Sequence, residues 1–145
     1  MDKYSYDMKL RKGTTFTNHL ILQKAEAKYD PLIHTSDADK RRTHAENIAY
    51  YGHTYEYINV ASLYHHARLK IFTQWDAPEN PSFVFYSDKD SVLTCTDNGI
   101  TINFSIQDIN AFNGSILDYC LELCSDEHEV VVETVVCGKI FIQDM

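Results

Sequence analysis

The chain predicts an α+β fold, an antiparallel sheet built from N- and C-terminal hairpins and packed on two central helices. Three observations carry this expectation. Tyr4, Tyr6, Met8 and Leu10 alternate with polar residues across Lys3–Arg11, as a half-buried strand requires. Residues 36–75 carry helix caps and apolar residues at three- and four-residue spacing, the mark of amphipathic helices. Two β-branched runs near the C-terminus flank Cys137-Gly138, which reads as a closing hairpin. With 145 residues and no repeat or linker, residues 1–145 read as one domain with a real core.

The first strand, Lys3–Arg11, is expected to turn at Gly13. A three-residue loop, Arg11-Lys12-Gly13, then sets Met8 opposite Phe16 and Tyr4 opposite Leu20. Residues 14–22 could instead begin a helix that runs through Ala25 to Tyr29. Asp30-Pro31 breaks the chain. Thr35, Ser36 and Asp37 offer caps for a helix ended by Gly52. Thr54 caps a second helix, expected to reach about Gln74 and to stop at Ala77-Pro78. On it, Tyr57, Val60, Tyr64, Ala67, Ile71 and Trp75 share one face, and Ile58, Leu69 and Phe72 a second. A helix with two apolar stripes is covered on two sides.

Phe83–Tyr86 reads as a short buried strand. Ser91–Thr96 and Ile100–Phe104 flank Asp97-Asn98-Gly99, a strong hairpin signal. Ser105–Phe112 suits one or two helical turns. Residues 116–124 fit a helix capped by Ser115, or a strand with Leu117, Tyr119, Leu121 and Leu123 inward. Val130–Val136 and Lys139–Ile142 form the expected final hairpin, with Val130-Val131-Val132 covered on both faces.

A hydrophobic fraction of 44% and an aromatic fraction of 12% exclude general disorder. No apolar run approaches a membrane span, and Met1-Asp2-Lys3-Tyr4 lacks a signal-peptide core. The expectation is an intracellular protein with no membrane partner. Its cysteines, Cys95, Cys120, Cys124 and Cys137, are then reduced thiols. The net charge of −8 disfavours nucleic acid, whose phosphates demand clustered Lys and Arg.

One run has a catalytic reading. Thr43-His44-Ala45-Glu46-Asn47-Ile48-Ala49 resembles the H-A-E helix of zinc-dependent nucleoside and nucleobase deaminases. The resemblance covers seven residues of 145. It implies that His44 binds zinc and that Glu46 moves protons between the zinc-bound water and the base. The family's two thiolates come from P-C-x-x-C. This chain has no Pro-Cys pair; its nearest equivalents, Cys120 and Cys124, are one residue too far apart and follow Tyr119. His53, His65 and His66 flank or lie on the second predicted helix. His65 is expected in the core or at its edge, and His66 exposed. They could join His44 only if the two helices packed side by side.

Tyr50, Tyr51, Tyr55, Tyr57 and Tyr64, with His53 and His66 beside them, suggest a binding face, because tyrosine joins a large apolar body to a hydrogen-bonding tip. The expected function is therefore a small acidic protein of inhibitor, immunity or mobile-element accessory type. It would bind a protein partner or itself as a homo-oligomer, with no catalytic residue and no cofactor. The alternatives are the zinc enzyme, with Glu46 catalytic and His44, Cys120 and Cys124 as ligands, and a small-ligand-binding domain.

Overall fold

The computed structural model describes residues 4–77, 79–130 and 132–144. Lys3, Pro78 and Val131, on which parts of the sequence reading fall, lie outside them. In chain order the described elements are β1 (Tyr4–Ser5), β2 (Met8–Arg11), β3 (Phe16–Ile21), β4 (Gln23–Ala27), α1 (Asp37–Arg41), α2 (His44–Tyr51), β5 (His53–Tyr57), α3 (Val60–Leu63), β6 (His66–Phe72), β7 (Phe83–Tyr86), β8 (Leu93–Cys95), β9 (Gly99–Phe104), α4 (Ile106–Ala111), β10 (Ile116–Cys124) and β11 (Val132–Gln143). The fold is mixed and dominated by sheet.

Two sheets face each other. The larger runs β1-β11-β10-β6-β7, with β2 continuing along β11 beyond β1. The smaller runs β3-β9-β8. Alternation decides what each contributes. On β10 the inward residues are Leu117, Tyr119, Leu121 and Leu123, and on β6 they are Ala67, Leu69 and Ile71, all essentially inaccessible. The smaller sheet answers with Leu93, Ile100, Ile102 and Phe104. Phe104 meets Phe85 of the opposite sheet at 6.1 Å between ring centroids, and Phe112, just after α4, at 5.2 Å. Helix α4 closes one end of this core with Ile109. Its start is set by a capping box between Ser105 and Asp108, within the turn expected there.

Several elements stand as the sequence predicts. Phe83–Tyr86 is a strand, and Asn98 lies in the tight connection between β8 and β9. Of the two readings open for 116–124, the strand with Leu117, Tyr119, Leu121 and Leu123 inward is formed and the helix capped by Ser115 is not. Residues 16–21 are strand, not helix.

Four expectations are corrected. The N-terminal strand does not pair with residues 16–22. Met8 lies opposite Ile140 and Tyr4 opposite Val136, both in parallel register, while Phe16 lies opposite Phe104. Alternation fixes which face of a strand is buried but not which strand it joins. The second central helix is absent. Its residues form β5, the single turn α3 capped by Asn59, and β6. The core therefore lies between two sheets, not between a sheet and two helices. The first helix divides at Arg42, which is extended, and Thr43 caps a second segment through a box with Glu46. The C-terminal hairpin is one continuous strand, β11, with Gly138 in its interior, and Val130 is exposed rather than covered on both faces.

The cysteine expectation also changes. Register places Cys120 directly opposite Cys137, with Cα atoms 4.3 Å apart, and the two are disulfide-bonded. Cys95 and Cys124 are free thiols. Such a bond persists in oxidising surroundings rather than beside a glutathione pool. Among the described residues no helix is long and apolar enough to cross a membrane.

Candidate functional site

Between Leu22 and Ile58 the chain leaves the sandwich and returns. Both of these residues are buried, and the Ile58 N–H donates to the Leu22 carbonyl at 2.9 Å. Everything between them forms an arm. Its stem is the two-stranded ribbon β4–β5, paired from Gln23–Tyr57 to Ala27–His53. Its tip is α1 and α2.

All ten ribbon residues are exposed, yet the ribbon is amphipathic. One face carries His53, Tyr55 and Tyr57 beside Ala25 and Ala27. The other carries Lys24, Glu26, Thr54 and Glu56, with Lys24 paired to Glu26 at 2.9 Å. Small alanines opposite Tyr55 and His53 leave those rings uncovered. Tyr55 is 65% exposed and Tyr57 62%. Tyr50 at the tip is equally open, with Arg42 seated over its ring at 3.9 Å. Leu32 and Ile33 add exposed aliphatic surface.

The tip is held by polar groups. Asp39 is buried and accepts from the Tyr51 hydroxyl at 2.7 Å, the Arg42 guanidinium at 2.5 Å and the Ser36 N–H at 3.2 Å. Buried Asn47 donates to the Asp39 carbonyl and accepts from Arg42 Nε. The Tyr51 bond, more than the others, holds the Asp39 carboxyl below its ordinary value of 3.8, and that same bond raises the Tyr51 phenol. A carboxyl with a depressed folded value stabilises fully above its unfolded value and loses that contribution as pH falls through the folded one. Acidification below about pH 4 should therefore melt the tip before the sandwich. NMR signals of the Asn47 side chain and the Tyr51 ring would report it. Asp39→Asn should reduce this acid step to the part carried by Glu46, whose carboxyl its cap with Thr43 also lowers, and an unchanged pH profile in that variant would reject the assignment.

The predicted site residues now have places. Tyr50, Tyr55, Tyr57 and His53 share the exposed arm. Tyr51 is committed to Asp39. Tyr64 stands on the sandwich, its hydroxyl donating to Glu133 at 3.1 Å, and burial followed by that bond raises its phenol. It lines a cleft of about 380 Å³ at the root of the arm with Tyr4, Gln23, Ile58 and Leu63, the space that a small ligand would have to use. His66 is corrected from exposed to buried, at 3% exposure. Trp75, expected on a buried stripe, is 85% exposed.

The zinc arrangement implied by the deaminase resemblance is not assembled. His44 lies in the arm with its ring edge against Tyr29. Glu46 is the reciprocal partner of Thr43 in the cap, which lowers its carboxyl value. Cys120 is in the disulfide, and Cys124 lies at the far end of β10 beside His66.

A second polar cluster forms there. Cys124 and His66 are directly opposite on neighbouring strands. Glu129 reaches back from the turn after β10, with Oε1 3.1 Å from His66 Nε2. His65 Nδ1 is 2.7 Å from His66 Nδ1. Arg68 pairs with Glu129 and Glu122. A cysteine, a histidine and a glutamate suggest a nucleophile with its base. Cys124 is fully buried, however, and burial pushes its thiol up, the opposite of what a reactive thiolate needs. The sequence pointed to His66 and Cys124 separately and missed Glu129, whose turn shows no local ligand signature.

No protein-family model matches the chain, and no curated protein sequence does.

Proposed function

We propose that this chain is a protein-binding domain whose arm, residues 23–57, is the binding element, and that its partner is a second copy of the chain. The carrying observation is the amphipathic ribbon whose apolar face, His53, Tyr55 and Tyr57 with Ala25 and Ala27, lies open. Exposed aromatic surface of this kind is characteristic of interaction sites. Neither ribbon strand has a second neighbour among the described residues, so each edge can accept another strand.

Charge favours a copy of the same chain. The arm holds five Lys and Arg against six Asp and Glu, so nearly all of the −8 lies elsewhere. Two acidic bodies repel, and the near-neutral arms are the parts that two copies can bring together. A two-fold arrangement, each ribbon on the other, satisfies both faces at once.

Sedimentation velocity across a concentration series tests this. A monomer–dimer equilibrium is expected below about 100 µM. Tyr55→Lys with Tyr57→Lys should return the protein to monomer with its circular dichroism and urea midpoint unchanged, because neither ring is buried in the monomer. A monomer throughout the series, or a dimer indifferent to both substitutions, overturns the reading.

A further inference from the structure

Among the described residues, one donor atom each from His66, Cys124 and Glu129 lies within 4.8 Å of the others. Two of the three residues are buried. The set mixes nitrogen, sulfur and oxygen, which suits a borderline-soft divalent ion. We propose that His66, Cys124 and Glu129 bind a thiophilic divalent cation, zinc first, at the end of the β6–β10 pair.

The surroundings of each ligand support this. A metal-binding histidine normally has its second ring nitrogen held by a neighbour, and a binding carboxylate is normally hydrogen-bonded on its free oxygen. Here His65 holds Nδ1 of His66, which leaves Nε2 directed at Glu129. Arg68 takes Oε2 of Glu129, which leaves Oε1 toward His66. Arg68 is itself neutralised by Glu122, so its charge is shared rather than set wholly against a cation. Cys124 supplies the soft donor of the set. Its side chain is fully buried and makes no hydrogen bond among the described residues, although polar groups stand beside it. A second group, His65, His66 and Asp88, offers no thiol and only one buried member.

Metal–ligand bonds of about 2.0–2.3 Å place donor atoms about 3–4 Å apart, so small rotations within the present spread suffice. On binding, the Cys124 thiol gives its proton to solvent and the sulfur lone pair forms the bond. The ion, one thiolate and one carboxylate then sum to zero charge, and one proton is released per ion. The ion would tie the 125–130 turn to the central strands, where Glu129 now holds a positive φ of 58° that glutamate seldom adopts.

Cobalt(II) is the probe, because a thiolate on tetrahedral cobalt gives a near-ultraviolet charge-transfer band that histidine and carboxylate ligands alone do not. The full chain, titrated with Co²⁺ with the disulfide intact, should show this band at one ion per chain. About one proton should appear per ion in weak buffer, and Zn²⁺ should bleach the band. Cys124→Ser should remove it, and Cys95→Ser should leave it. Glu129→Gln changes a partly exposed turn residue and should fold regardless, with affinity falling at least tenfold. No band in the unaltered chain overturns the proposal. So does a band that survives Cys124→Ser, or, if that variant does not fold, an affinity unchanged by Glu129→Gln.

Discussion

Phe104→Ala is expected to lower stability by about 3–5 kcal/mol, a large part of the ~5–15 kcal/mol available to a domain of this size. Phe104 is fully buried on β9, and its ring belongs to both halves of the molecule. It lies 6.2 Å from Phe16 on the neighbouring strand, 6.1 Å from Phe85 across the sandwich and 5.2 Å from Phe112 beyond α4. Removing it loses the transfer energy of the ring and leaves a cavity that three other rings cannot collapse to fill. The urea midpoint should fall by roughly 2 M. Circular dichroism is the readout to use, since Trp75 is 85% exposed and its fluorescence will barely respond. Phe104→Leu keeps most of the volume and should lose less than half as much. Leu32→Ala, on the exposed arm, should change stability by no more than about 0.5 kcal/mol. If Phe104→Ala matched Leu32→Ala, the two sheets would not share one core.

The contrast explains what could be read from the sequence. Leu117, Tyr119, Leu121 and Leu123 alternate without exception, and β10 buries that face. Ser105 and Asp108 sit three apart before an apolar turn, and α4 starts there. These signals are local. The misread helix failed because a spacing of four satisfies both periods. Ala67 and Ile71 are four apart and suit a helix, but Leu69 between them is buried too, and only a strand puts all three on one side. Thr43 and Glu46 spell a second cap inside the first predicted helix, and α2 starts there. What depends on register lay out of reach. Cys120 meets Cys137 through the β10–β11 ladder, at a sequence separation of 17. His66 and Cys124 become neighbours by the same means. The exposure of Tyr55 and Tyr57 was equally out of reach, because it comes from the ribbon standing away from the core, whereas the helix expectation puts Tyr57 on a covered stripe.

Gly138→Ala separates the two readings of the C-terminus most sharply. As a turn residue after Cys137 in a left-handed conformation, Gly138 would accept alanine at a cost of about 1–2 kcal/mol. In the structure it lies inside β11, where the backbone of Tyr6 crosses it. A Cβ at Gly138 would stand 2.0 Å from the Tyr6 carbonyl oxygen and 3.0 Å from Asp7 Oδ1. That backbone has little room to yield. The Tyr6 N–H donates to the Cys137 carbonyl at 3.1 Å, the Lys139 N–H donates to Asp7 Oδ1 at 2.9 Å, and the buried Tyr119 hydroxyl donates to the same Tyr6 carbonyl. Alanine must push the 4–7 segment off β11, which breaks the parallel pairing of Tyr4 with Val136 and leaves Tyr119 without an acceptor. Overpacking and one orphaned buried hydroxyl together should cost about 3–5 kcal/mol, with faster amide exchange at Tyr6 and Lys139. Gly52→Ala is the control. Gly52 caps α2 with φ 78° and ψ −159°, a backbone region almost closed to residues with a Cβ, and has nothing within 4 Å of the added carbon, so it reports backbone strain alone, at about 1–3 kcal/mol. A loss at Gly138 of no more than about 2 kcal/mol, with amide exchange at Tyr6 and Lys139 unchanged, would return Cys137-Gly138 to a turn; a larger loss with faster exchange at those two amides, which Gly52→Ala does not share, would fix the N-terminal segment against β11.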